Sequence, residues 1–131
     1  MRNFEGGGLS VKRILVVDDD ADTRFLLRLI FESDGYRVSD AKNGIAALIR
    51  IKESLPDLVI TDMKMPVMNG AELIERIRSD PRTAHLLIMA VSGIAGAKET
   101  ALRADAILGK PFDRTTLLAA VGSLLAPGQL S

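Results

Sequence analysis

The sequence predicts an open α/β fold, a parallel sheet covered by helices on both faces. Two observations carry the prediction. Short apolar runs alternate with segments of helical period, and four of the runs stop on a residue suited to binding a charged ligand. Those runs are Arg13 to Val17, stopping on Asp18 and Asp19; Asp57 to Thr61, stopping on Asp62; Leu86 to Val91, on Ser92; and Ala106 to Gly109, on Lys110. As neighbouring parallel strands they would bring their carboxyl ends to one sheet edge, where folds of this class bind ligands.

Each element follows from local signals. The first helix starts at Asp20 or Asp22, either of which can accept a hydrogen bond from a free N–H of the first turn. Its period buries Leu26, Leu29 and Ile30, and Asp34 and Gly35 end it. Tyr36 to Asp40 alternates as a short strand, and Asn43 then caps a helix with Ala47, Leu48 and Ile51 on one side. Pro56 marks the entry to the third strand. The loop Met63 to Gly70 leads into a helix presenting Leu73, Ile74 and Ile77, which ends near Asp80 and Pro81. Leu86 to Val91 is the most apolar strand, which places it at the centre of the sheet. The segment Ile94 to Arg103 contains Gly96 and little apolar periodicity, so the helix between the fourth and fifth strands should be short or irregular. Asp113 caps the last helix, whose stripe is Leu117, Leu118, Val121, Leu124 and Leu125. Five strands and five helices in strict alternation suit a flavodoxin-like doubly wound fold of strand order 2-1-3-4-5. That order sets Asp18 and Asp19 beside Asp62, with Ser92 and Lys110 on the next two strands.

The chain divides into a flexible leader, 1–10, one domain, 11–126, and a short tail, 127–131. Its length lets the domain bury roughly two-thirds of the surface exposed by the unfolded chain, without a metal or disulfide staple. Hydrophobic residues at 47% and charged residues at 26% exclude a disordered or fibrous class. No apolar run approaches the ~20 residues of a membrane span, and the leader lacks the apolar stretch of a secretory signal. The absence of cysteine excludes a disulfide framework and fits a cytoplasmic location. Seventeen basic and seventeen acidic residues cancel without forming a basic stripe, which argues against direct nucleic-acid binding.

Carboxylates a few ångströms apart repel by several kcal/mol at an effective dielectric of about 20. A site that gathers Asp18, Asp19 and Asp62 must therefore raise their pKa values or bind a cation. Oxygen donors without Cys or His favour Mg²⁺. One carboxylate could then attack a phosphoryl group to give an acyl phosphate. The Lys110 ammonium and Ser92 hydroxyl are donors of the type the transferring oxygens need. Singly, a strand-end Asp reads as a helix cap, Ser92 as a turn residue and Lys110 as a solvated cation; their joint placement favours phosphoryl chemistry. A calcium loop starting at Asp18 would need Gly at its sixth position and Glu at its twelfth, where Thr23 and Leu29 stand. A haloacid-dehalogenase-like phosphatase would need a D-x-D-x-T/V signature, which neither Asp18 nor Asp20 begins. His85 reads as a surface residue, and Met63, Met65, Met68 and Met89 as packing.

ILVVDDD (Ile14 to Asp20), DLVITDMKMPVMNG (Asp57 to Gly70), MAVSG (Met89 to Gly93) and LGKPF (Leu108 to Phe112) together resemble the receiver domain of two-component response regulators. The resemblance covers Val11 to Ala126 and implies a single-domain regulator. It implies Asp62 as the phospho-acceptor and a metal ligand, Asp19 as a direct Mg²⁺ ligand, Asp18 as a ligand through water, and the backbone carbonyl of Lys64 as the third protein ligand. Ser92 would be the switch hydroxyl, Lys110 the ion-pair partner of the phosphoryl group, and Lys110-Pro111 a cis bond. Implied partners are a sensor histidine kinase or histidine phosphotransfer protein as donor and a downstream protein as target; the only catalysis implied is of the domain's own phosphorylation and dephosphorylation. Lys64 and Ile94 fall on the two variable positions that tune phosphoryl lifetime in the family.

Two departures stand out. The position three before Lys110 is usually aromatic in the family and is Ile107 here, and the spacing from Ser92 to Lys110 is about four residues short, roughly one helical turn. The shortened segment falls on the face where most receivers dock partners and implies an unusual output surface, while Ile107 leaves the family's aromatic coupling to the switch hydroxyl without its ring. They are also the support for an alternative, an interaction module that keeps the fold and signals independently of phosphorylation. A small-molecule phosphatase is disfavoured, since nothing resembles a substrate-specificity cap.

Overall fold

The computed structural model describes residues 11–93 and 103–126. The elements are β1 (Arg13–Val17), α1 (Ala21–Ser33), β2 (Arg37–Ala41), α2 (Gly44–Glu53), β3 (Leu58–Asp62), α3 (Gly70–Ser79), β4 (Leu87–Ser92), β5 (Ala106–Gly109) and α4 (Arg114–Leu125). The strands form one parallel sheet in the order β2-β1-β3-β4-β5, the flavodoxin-like arrangement. The short or irregular helix anticipated over 94–103 falls almost wholly outside the described residues, as do the leader and the tail.

Successive strand side chains point to opposite faces, so each interior strand feeds two cores. Leu15, Val17, Val59, Ile88 and Ala90 pack with Ala47 and Ile51 of α2 and Leu73, Ile74 and Ile77 of α3. Ile14, Val16, Leu58, Ile60, Met89 and Val91 pack with Leu27 and Phe31 of α1 and Leu117 and Val121 of α4. Asp20, Asn43, Asn69 and Asp113 cap the four described helices through side-chain oxygens.

One expectation is corrected. In α1, Leu26 and Leu29 are 56% and 48% exposed and Ile30 is half-buried, while Leu27 and Phe31 face the core. Six of the seven residues from Phe25 to Phe31 are apolar, so hydropathy alone does not set the helix phase. The phase is set by Phe31, whose ring meets Tyr36 edge-on at 6.1 Å. As its apolarity predicts, β4 lies inside the sheet, paired with β3 on one side and β5 on the other. Continuous apolarity marks a strand covered on both faces.

Two arginines cover carbonyls on the β2 edge. Arg28 of α1 donates both terminal nitrogens to the Val38 carbonyl at 3.3 and 3.0 Å, and Nε of Arg50, on α2, reaches the Asp40 carbonyl at 3.2 Å.

Candidate functional site

Sheet register assembles the carboxyl edge. Val17 pairs with Thr61, Asp62 with Val91, and Ser92 with Gly109. Asp18 therefore emerges beside Asp62, and Lys110 one residue past the partner of Ser92. Carboxylate oxygens of Asp18, Asp19 and Asp62 all lie within 4.8 Å of one another.

Asp62, 9% exposed, ends β3, and its Oδ1 accepts from the Met63 N–H at 2.9 Å and from Lys110 Nζ at 3.1 Å. Its Oδ2 has no hydrogen-bond partner among the described residues. Asp18 is 6% exposed and is fixed on three sides. Its N–H donates to the Ala41 carbonyl at 3.1 Å, its carbonyl accepts from Arg24 Nη1 at 2.8 Å, and its Oδ1 accepts from the Asp20 N–H at 2.9 Å. Burial pushes the Asp18 carboxyl above the usual carboxylate range, and the charges of Asp62 and Asp19 push the same way. The Asp20 N–H and Lys110 pull against that rise.

Ser92 is 2% exposed at the end of β4, but its Oγ donates to the Gly93 carbonyl at 2.8 Å instead of turning toward Asp62. Its own carbonyl accepts from the Lys110 N–H at 2.9 Å, which ties β5 to the edge. Lys110-Pro111 is cis. Lys64 sits in the exposed turn after β3, in which Val67 holds φ +73°, a strained setting for a β-branched residue. Ile107 is part-exposed on β5.

The start of α3 presses on the site. A Cβ at Gly70 would collide with the Asp62 carbonyl and come within 2.7 Å of Met63 Sδ, so only glycine fits. Asn69 and Glu72 close a reciprocal capping box just there, at 2.9 and 3.0 Å. Sequence reasoning missed this contact, and it missed Arg24. The signal for Arg24 was a cation in register with Leu27 and Phe31, on the buried stripe of α1.

The donor set fits a hard divalent cation: three carboxylates, with no Cys or His among them, and Lys110 as the one cation paired with the trio among the described residues. Among those residues no helix is long and apolar enough to cross a membrane.

Known proteins resemble this chain in sequence and fold. Sporulation initiation phosphotransferase F of Bacillus subtilis is 38% identical over 106 residues, covering 78% of this chain and 84% of that protein. Chemotaxis protein CheY of Halobacterium salinarum is 33% identical over 116 residues, covering 87% and 97%. The crystal structure of a CheY-like response regulator receiver domain protein from Methanospirillum hungatei superposes with a TM-score of 0.79 at 31% identity, covering 86% of this chain and 91% of that one. The response regulator receiver domain matches residues 14–122, and the chain belongs to that family.

Proposed function

We propose that Asp62 accepts a phosphoryl group from a phosphohistidine of a sensor kinase or phosphotransfer protein, and that the acyl phosphate changes which proteins this domain contacts. The observation that carries the reading is the meeting of a buried acceptor, its lysine and two further carboxylates at one sheet edge. Mg²⁺, held by Asp19, by Asp62, by Asp18 through water and by the Lys64 carbonyl, would supply charge neutralisation between the carboxylate and the phosphoryl oxygens. Met63 and Lys110 occupy Oδ1, which leaves Oδ2 as the nucleophile. The Oδ2–P bond forms as the donor's N–P bond breaks, and the imidazole leaves with the electron pair. Lys110 then pairs with a phosphoryl oxygen, and Ser92 exchanges the Gly93 carbonyl for another, drawing the ends of β4 and β5 toward Asp62. The likeness to a sporulation phosphotransferase supports a relay role, and the lack of cysteine fits the cytoplasm.

Intact mass after incubation with acetyl phosphate and Mg²⁺ tests the reading. One added phosphoryl group on the wild type, absent from Asp62→Asn and absent with EDTA, is the expected result. An unmodified wild type that also fails to bind beryllofluoride would overturn it in favour of the phosphorylation-independent module that Ile107 supports.

A further inference from the structure

We propose that Arg24 is a positioning residue for the acidic site, fixing the backbone of Asp18 so that its carboxylate faces Asp19 and Asp62. The assignment rests on the reading of that cluster as a Mg²⁺ site. Arg24 lies one turn into α1, and its side chain is largely buried, at 20% exposure. Nη1 donates to the Asp18 carbonyl at 2.8 Å and Nε to Asp40 Oδ2 at 3.2 Å. Asp40 precedes Ala41, whose carbonyl holds the Asp18 N–H. Both ends of the Asp18 residue are thereby fastened to β2, one directly and one through the guanidinium. The positive charge rests on a carbonyl and on a carboxylate outside the trio, so it does not compete with a cation for the three oxygens.

Charge and positioning make opposite predictions. If Arg24 acted only through its charge, its removal would deepen the negative potential at the cluster and tighten Mg²⁺ binding. If it positions Asp18, removal weakens binding. A lysine would keep the charge but could not reach both acceptors with a planar fork.

The test is a Mg²⁺ titration of the whole chain followed by ¹H–¹⁵N NMR shifts at Asp62 and Met63, with folding checked by circular dichroism. Arg24→Gln and Arg24→Lys should each weaken Mg²⁺ binding about tenfold, within the range seen when partners of metal ligands are lost. Asp40→Asn should weaken it less, and Arg24→Gln with Asp40→Asn no more than Arg24→Gln alone, because both act through one link. Wild-type affinity in Arg24→Lys, or tighter binding in Arg24→Gln, overturns the assignment, and should Arg24→Gln not fold, Arg24→Lys and Asp40→Asn decide it. A wild type that binds no Mg²⁺ overturns the reading of the site itself, and with it this one.

Discussion

Replacing Asp18 with Asn should stabilise the metal-free protein at neutral pH. Asp18 and Asp62 are 6% and 9% exposed, with oxygens within 4.8 Å. Two unit charges at that distance repel by about 3.5 kcal/mol at an effective dielectric of 20 and by about 0.9 kcal/mol at that of water. Lys110, 3.1 Å from Asp62, offsets part of the repulsion, so a net gain of about 1–2 kcal/mol is expected. Asn keeps the oxygen that accepts from the Asp20 N–H and adds donors facing two carboxylates. Burial raises the folded-state pKa of Asp18, so the folded chain holds that proton more tightly than the unfolded chain does. The unfolded state then binds fewer protons from the ordinary Asp value up to the raised one. Stability falls as pH rises through that window and stays lower above it. Asp20, Asp80 and Asp113 are shifted down, by the Thr23 hydroxyl, the Arg82 side chain and the Thr116 N–H respectively. Their contribution is lost as pH falls, and it cancels between wild type and variant. Urea denaturation in metal-free buffer, followed by circular dichroism across pH, should show a variant-minus-wild-type difference that is small in acid, grows through the window and then levels. Mg²⁺ at a hundred times its Kd should return about 2.7 kcal/mol to the wild type and less to the variant. A variant less stable than wild type at pH 7, or a difference that ignores pH, would refute the reasoning.

Gly70→Ala should cost about 1–3 kcal/mol through overpacking against the end of β3, and it should slow acetyl-phosphate labelling of Asp62, because the contact lies on the acceptor's own backbone. Phe31→Ala should destabilise by about 3–5 kcal/mol, whereas Leu29→Ala, 48% exposed on the same helix, should change stability by under about 0.5 kcal/mol. Thermal or urea unfolding of the two α1 variants side by side distinguishes this helix phase from one that turns Leu26 and Leu29 inward, which would reverse the ranking.

The carboxyl edge was legible because strand ends are marked twice, by where apolarity stops and by which polar residue follows. Asp18, Asp62, Ser92 and Lys110 share that signature, and parallel register does the rest. The phase of α1 was not legible, because Phe25, Leu26, Leu27, Leu29, Ile30 and Phe31 offer apolar side chains to every direction and tertiary packing selects among them. The orientation of Ser92 Oγ toward Gly93 was hidden for another reason: a hydroxyl chooses among nearby carbonyls at little cost, and sequence carries no trace of that choice. Gly70 reads locally as an unremarkable first residue of a helix; its need to be glycine comes from a strand end eight residues back.

The arginines on the β2 border give the sheet an asymmetry of growth. An outer strand normally leaves carbonyls able to recruit a foreign chain, but here the Val38 and Asp40 carbonyls are already engaged by guanidiniums arriving from helices on opposite faces. A visiting strand could pair with those two carbonyls only by displacing the arginines. Those two side chains therefore lower the number of acceptors this side of the molecule offers. They also bind the border strand to two separate layers, one on each face of the sheet.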